Sequence, residues 1–311
     1  MRKFATPLRL TWDWDWPPVV HPGSPPRRPA AETVREIGAE IVRAGVLLLE
    51  VGYPDPEALR SGELTSALEG FAGSISLVLA PAAAAALTDS RPWEAPGVGH
   101  VWLDATPVSG VLAAGLEGWP FVRFYLTAGN LEAAATGIER ALAAGAAAIS
   151  LPNLPLFGEP LRDPAAAPPT VAQLAVFGER IAAAFRGRSG VDLRVHHYGL
   201  WQQLSAAGVQ PHGEADAGAG CQAGSALGYV DPAGVLHPCA SLPIPLARVA
   251  EGAIRAAWSG AEIVTLRGHL AALPARCSGC PAATACRGGC RGWAHYLHHT
   301  WTATGPDCTR Q

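Results

Sequence analysis

All seven cysteines of this 311-residue chain fall after residue 220: Cys221, Cys239, Cys277, Cys280, Cys286, Cys290 and Cys308. An odd number confined to one end does not describe a disulfide framework spread over a secreted fold. Localised thiols describe a metal site instead. Their spacing is C-x12-G-x4-C, a gap, C-x2-C-x5-C-x3-C, and a last cysteine after seventeen intervening residues. A C-x2-C pair lets two thiolates from one tight turn grip the same metal or cluster. Gly279, Gly288 and Gly289 stand where small residues expose backbone N–H groups to sulfur. Gly234 closes a turn-like Asp231-Pro232-Ala233-Gly234 that brings Cys239 back towards the site.

Ahead of the cysteines, short apolar or β-branched runs alternate with alanine-rich amphipathic segments, as in βα units around a parallel sheet. The pattern predicts strands over Leu8–Trp12, Val46–Val51, Ser74–Leu79, His100–Leu103, Phe121–Leu126, Ala147–Leu151 and Asp192–His197. It predicts helices over Thr33–Ala44, where Val34, Ile37 and Ile41 recur at helical spacing, and over Leu131–Ala144 and Thr170–Arg186. The alanine runs Ala82–Ala86 and Ala146–Ala148 sit inside these periods as packing filler. Pro155–Pro169 and Gln210–Gly220 break periodicity with proline or glycine and read as linkers. The fold class is therefore α/β: an incomplete (β/α) barrel over 1–210, followed by a small cysteine-rich domain over 211–311.

With 49% apolar residues the chain can bury a substantial core. A net charge of −3 and a single lysine, Lys3, leave no electrostatic footprint for nucleic acid or an anionic membrane. Met1, Arg2 and Lys3 lead into Trp and Asp rather than an apolar signal-peptide core, and no apolar run reaches membrane-spanning length. The expected compartment is the cytoplasm.

Cysteine for cysteine, the array resembles the signature of the SPASM domain of radical SAM peptide and sulfatase maturases. The match includes Gly234 before Cys239 and the run Cys286-Arg287-Gly288-Gly289-Cys290-Arg291. The resemblance implies two auxiliary 4Fe–4S clusters, one held by Cys277, Cys280, Cys286 and Cys308, the other by Cys221, Cys239 and Cys290. The second set lacks a fourth cysteine, and the stretch just upstream offers only His212, Glu214 and Asp216. A structural zinc ribbon is the alternative, with a four-cysteine site and a second site of three cysteines plus His237 or His295.

The start Leu8-Arg9-Leu10-Thr11-Trp12-Asp13 resembles the first strand of radical SAM proteins, where it leads into a C-x3-C-x2-C cluster loop. Pro18, Pro22 and Pro25 stand at that offset here, and no thiol precedes residue 221. The family's Gly-Gly-Glu-Pro, which contacts the amino group of S-adenosylmethionine (SAM), corresponds to Val51-Gly52-Tyr53-Pro54. The resemblance thus implies a degenerate radical SAM core, and argues against SAM as a cofactor and against ordinary radical activity.

Three further groups draw notice. Trp12, Trp14 and Trp16 alternate with Asp13 and Asp15 at a strand's C-terminal end, either burying tryptophan while the aspartates cap the turn, or forming an aromatic and acidic rim for a peptide or amine. His196, His197 and Tyr198 end the last barrel strand, where adjacent residues face opposite ways and only one histidine reaches a given site. His295, His298 and His299 share one face of a predicted helix, as solvated groups or supports of the metal site.

The leading expectation is a two-cluster iron–sulfur protein acting as a non-radical partner or electron relay in peptide or natural-product modification. Its partners would be an active radical SAM enzyme or a peptide substrate. One alternative is an enzyme in which the incompletely ligated cluster binds substrate or does redox chemistry. The other is a zinc-stabilised interaction module.

Overall fold

A computed structural model describes residues 4–19, 29–87, 97–108, 111–112, 115–157, 166–212, 220–306 and 308. The chain begins β1 (Arg9–Asp13), α1 (Ala31–Ala44), β2 (Leu48–Gly52), α2 (Pro56–Arg60), α3 (Glu63–Ala67), β3 (Ser74–Leu79), α4 (Pro81–Ala86) and β4 (Val98–Asp104). It continues β5 (Phe121–Arg123), α5 (Leu131–Ala143), β6 (Ala148–Leu151), α6 (Val171–Phe185), β7 (Asp192–Val195) and α7 (Tyr198–Ala206). The remainder is β8 (Leu227–Val230), β9 (Val235–His237), β10 (Ala247–Arg248), α8 (Ala253–Ser259), α9 (Ala261–Ala271), α10 (Ala283–Cys286) and α11 (Arg291–His298).

Among the described residues the strands neighbour one another in the order β10-β9-β8-β1-β2-β3-β4-β5-β6-β7. The pairings β1–β2, β1–β8, β2–β3, β4–β5, β5–β6 and β6–β7 are parallel, and β8–β9 and β9–β10 are antiparallel. The α/β class expected from the βα alternation is the class observed, with β7 and β10 ending the order. Two compact units share these elements. One comprises Met1–Pro17, Gly23–Trp102 and Gln222–Ala271, the other Pro18–Pro22, Leu103–Cys221 and Ala272–Gln311.

In the first unit, β1 lies between β2 and β8, with Arg9 opposite both Leu48 and Leu227. Leu10, Trp12 and Trp14 project to the same side, as an alternating strand requires, and join Ile37 and Ile41 of α1, Val51 and Trp258 in one apolar core. Helix α1 carries an acid on this buried side. Glu40 is 1% exposed and accepts hydrogen bonds from Gly252 N (2.9 Å) and Ile254 N (3.0 Å), so it caps the N-terminus of α8 from across the unit. Arg43, one turn along, donates to the same carboxylate at 2.8 Å.

In the second unit, β5, β6 and β7 pair in parallel. Thr170 opens α6 with a capping box closed by Gln173. Arg180 of α6 clamps α5 by donating to both carboxylate oxygens of Glu139, at 2.7 and 2.6 Å, and to Glu132 at 2.5 Å. These contacts hold the Arg180 guanidinium above its ordinary pKa.

The helices predicted over 33–44, 131–144 and 170–186 match α1, α5 and α6 to within two residues. Two strands end earlier than predicted, for identifiable reasons. Strand β5 stops at Arg123 because Tyr125 N donates to Thr106 Oγ1 at 2.8 Å rather than to a neighbouring strand. Strand β7 stops at Val195 because His197 becomes the N-cap of α7. No helix among the described residues is long and apolar enough to cross a membrane.

Candidate metal centre

Six of the seven cysteines, all but Cys239, belong to the second unit, and none of the seven is in a disulfide. The C-x2-C pair is built by a tight turn. Cys277 ends a short 3-10 turn over Ala275–Cys277, Gly279 takes a left-handed φ of 70°, and Cys280 N donates to Cys277 O at 3.1 Å. Helix α10 then delivers Cys286. After it, Arg287, Gly288 and Gly289 all adopt positive φ (51°, 92° and 71°), reversing the chain so that Cys290 becomes the N-cap of α11. Cys290 Sγ already acts as an acceptor there, taking a long hydrogen bond of 3.5 Å from Trp293 N. The last segment returns through Gly305 N, which donates to Gly288 O at 2.7 Å, and Cys308 N donates to Gly305 O. On the other side, Gly220 is required where it stands: a Cβ would fall 2.1 Å from Arg287 Cδ, so the backbone beside Cys221 lies directly against that side chain.

The electrostatics draw these thiols together. Burial raises the Cys277 thiol above its ordinary pKa, Cys308 and Cys280 raise it further, and Arg291 opposes them. Burial also raises the Tyr198 phenol, with Cys286 and Cys280 adding to it. Arg291 is 1% exposed, and burial pushes its pKa down against the influence of Cys221, Cys277 and Cys290.

Cys239 belongs to the first unit, after the β8–β9 hairpin. Asp231 organises that hairpin: its Oδ1 accepts from Ala233 N and Val235 N, both at 2.9 Å, and its Oδ2 lies 3.0 Å from His237 Nε2. Gly234 sits at φ 76° in the turn, the conformation anticipated for the glycine of the G-x4-C spacing.

As a donor set, clustered thiols suit an iron–sulfur cluster or zinc, because soft sulfur ligands select both. Buried thiols with raised pKa lose their protons when a cation arrives. Among the described residues, no three His, Cys, Asp or Glu side chains converge on a single-ion position. Of the imidazoles that a zinc site would recruit, His237 Nε2 is engaged with Asp231, and His295 stacks on Trp301 at 3.8 Å between ring centroids. His212 is exposed beside β7, whose Val195 N donates to its carbonyl. Glu214 and Asp216 lie outside the described residues, as do Pro22 and Pro25.

Other residues singled out by sequence divide differently than anticipated. Trp12 and Trp14 are core residues, in line with the burial reading, and Asp15 serves the turn, accepting from Trp16 N at 2.8 Å. Asp13 is itself buried in the strand, where the Tyr229 hydroxyl donates to its Oδ2 at 2.9 Å. Its Oδ1 rests on Gly52, where a Cβ would come within 2.0 Å. Tyr53, after Gly52, is buried with a φ of 54°. At the end of β7 the cysteines Cys286 and Cys280 act on the Tyr198 phenol; His197 is buried and His196 half-buried. The expected histidine face of α11 is incomplete because the helix ends at His298, and His299 is its left-handed C-cap. Sequence reasoning counted Arg291 in the cysteine run without giving it a role, and passed over Tyr229 and Glu40.

No protein-family model matches the chain, and no curated protein sequence matches it. Solved structures do. SuiB of Streptococcus suis bound to S-adenosylmethionine matches with a TM-score of 0.61 at 12% identity, covering 97% of this chain and 77% of SuiB. SuiB bound to precursor peptide SuiA matches with a TM-score of 0.62 at 13% identity, over 99% and 76% of the two chains. The protein anSMEcpe with bound AdoMet matches with a TM-score of 0.63 at 11% identity, over 98% and 91%. The chain shares the fold of these structures. That these neighbours hold S-adenosylmethionine goes against the expectation that SAM has no place here, although the chain has no cysteine before residue 221.

Proposed function

We propose that this chain is an iron–sulfur protein with two auxiliary 4Fe–4S clusters, serving as a non-radical partner or electron relay in the modification of a peptide or related natural product. The observation that carries this reading is that six of the seven thiols belong to one unit, where Cys308 and Cys280 act on the buried Cys277 thiol, and Cys221, Cys277 and Cys290 act on the buried Arg291. By resemblance, Cys277, Cys280, Cys286 and Cys308 hold one cluster, and Cys221, Cys239 and Cys290 the other. Thiolate-ligated clusters supply one-electron chemistry at low potential. The chain's own residues bind and orient: the turn at Gly279 sets the C-x2-C pair, the left-handed run 287–289 aims Cys290, and Tyr198 stands within electrostatic reach of Cys286 and Cys280.

Residues 1–210 act in this reading as a degenerate barrel offering docking surface, and 211–311 as the cysteine-bearing domain, in the cytoplasm. Neighbours of the same fold crystallised with a precursor peptide or a Cp18Cys peptide support a peptide as the partner. Their S-adenosylmethionine makes SAM a ligand to test, without the thiols for its reductive cleavage.

The test is anaerobic reconstitution, metal and sulfide analysis, and EPR with and without SAM. The expected protein is brown, with about eight irons and eight sulfides per chain, as two cubanes require. Zinc without sulfide would refute the cluster assignment. Formation of 5′-deoxyadenosine by this chain alone would refute the non-radical role.

A further inference from the structure

Arg291 is an unusual tenant for the interior of a cysteine-rich unit. It is 1% exposed, the only charged side chain among the largest fully buried ones in the described residues. Its Nη1 donates to Ala303 O at 2.9 Å and its Nη2 to Trp301 O, so two of its donors fasten the segment that leads to Cys308. Its Nε is buried and has no hydrogen-bond partner among the described residues. A buried donor without an acceptor is rare in folded proteins. Gly288 leaves the room the guanidinium needs, since a Cβ there would sit 3.1 Å from Nη1.

Arg291 directly follows Cys290, the N-cap of α11, and the thiols whose charge acts on this cation come from both proposed ligand sets. Cys277 belongs to the first, and Cys221 and Cys290 to the second. A guanidinium cannot shed its charge under ordinary conditions. In a dry site, a fixed positive charge stabilises whichever neighbouring state is more negative.

Building on the two-cluster reading above, we infer that Arg291 is a positioning residue shared by both clusters, offering its Nε–H to cluster sulfur and setting the two reduction potentials together with one buried charge. Each cluster takes one electron on reduction and becomes more negative by one charge. Arg291 therefore favours the reduced form of both, and its loss shifts both potentials the same way.

The experiment compares the wild-type full chain with Arg291→Gln and Arg291→Lys, each reconstituted anaerobically and titrated with dithionite as the electron donor, read by EPR. The expected result is that Arg291→Gln moves both midpoint potentials to more negative values, by about 59 mV for a tenfold change in each one-electron equilibrium. Arg291→Lys, which keeps the charge, stays near the wild type. Unchanged potentials in Arg291→Gln, movement of one cluster only, or an equal fall in Arg291→Lys would overturn the inference. So would a folded apoprotein, by circular dichroism, in which neither variant takes up iron, since the residue would then be a packing element only. Absence of iron and sulfide from the wild type itself would instead refute the underlying two-cluster reading.

Discussion

The Tyr229 hydroxyl donates a 2.9 Å hydrogen bond to Asp13 Oδ2, joining two residues 216 positions apart, both buried in the first unit. A hydrogen bond to a buried carboxylate contributes about 1.5–3 kcal/mol. Tyr229→Phe should destabilise the chain by that amount in urea unfolding near neutral pH. With Asp13→Asn as the second mutation, the pair should cost less than the sum of its members; strict additivity would show that the two side chains are not coupled.

Glu40 provides a second stability prediction. Its carboxylate accepts from Gly252 N and Ile254 N, and from Arg43. Glu40→Ala removes a helix cap and half of a partly buried ion pair, a loss of about 2–4 kcal/mol. Glu40→Gln keeps one acceptor oxygen and should fall between the two. Equal stability of all three proteins by chemical denaturation would show that α8 does not depend on this cap.

The cluster assignment predicts a pattern of partial losses. Cys308→Ala and Cys239→Ala each disable a different proposed set, so each reconstituted variant should keep about four irons and four sulfides. Cys277→Ala combined with Cys308→Ala should lose no more than either alone, because both belong to one set. Iron lost in proportion to the number of cysteines removed would contradict two discrete clusters.

The clamp between α5 and α6 predicts a pH dependence. The Arg180 hydrogen bonds hold the Glu139 carboxyl below its ordinary pKa. A depressed folded-state value adds stability above the unfolded value, about 4.3, and that stability disappears as pH falls through the folded value. The Glu139 side chain is 40% exposed, so solvent screening limits the effect to about 0.3–1 kcal/mol. Glu139→Gln should therefore be less stable than wild type at pH 7, with the gap closing below pH about 4. A gap that is constant with pH would mean that the carboxylate charge contributes nothing.

Much of the fold was legible because its signals are periodic. Strand Ser74–Leu79 follows from a single apolar run, and α1 follows from Val34, Ile37 and Ile41. The β8–β10 strands are two to four residues long and sit among glycines, prolines and cysteines, where turn signals mask them. Glu40 was available to sequence reasoning as an acid at i+3 from Ile37, on the face assigned to the core. It was passed over because periodicity counts apolar positions and ignores the exceptions, which are where buried polar work is done. The cysteine spacing made the candidate site visible from the start. Arg291 was hidden inside that spacing, because burial of its side chain depends on the Trp301 and Ala303 carbonyls, and no local pattern encodes such a meeting.

Strand β8 completes the neighbourhood of β1, with Leu10 opposite Gly228 and Trp12 opposite Val230. The first strand of the chain thus finds one of its two partners only after Cys221 has been made. A ribosome must pass Val230 before this edge of β1 can close. Until then β1 presents bare backbone donors and acceptors beside Trp12 and Trp14, a template for pairing with other chains. Production of this protein should accordingly depend on slow, cool synthesis or on chaperones that cover that edge.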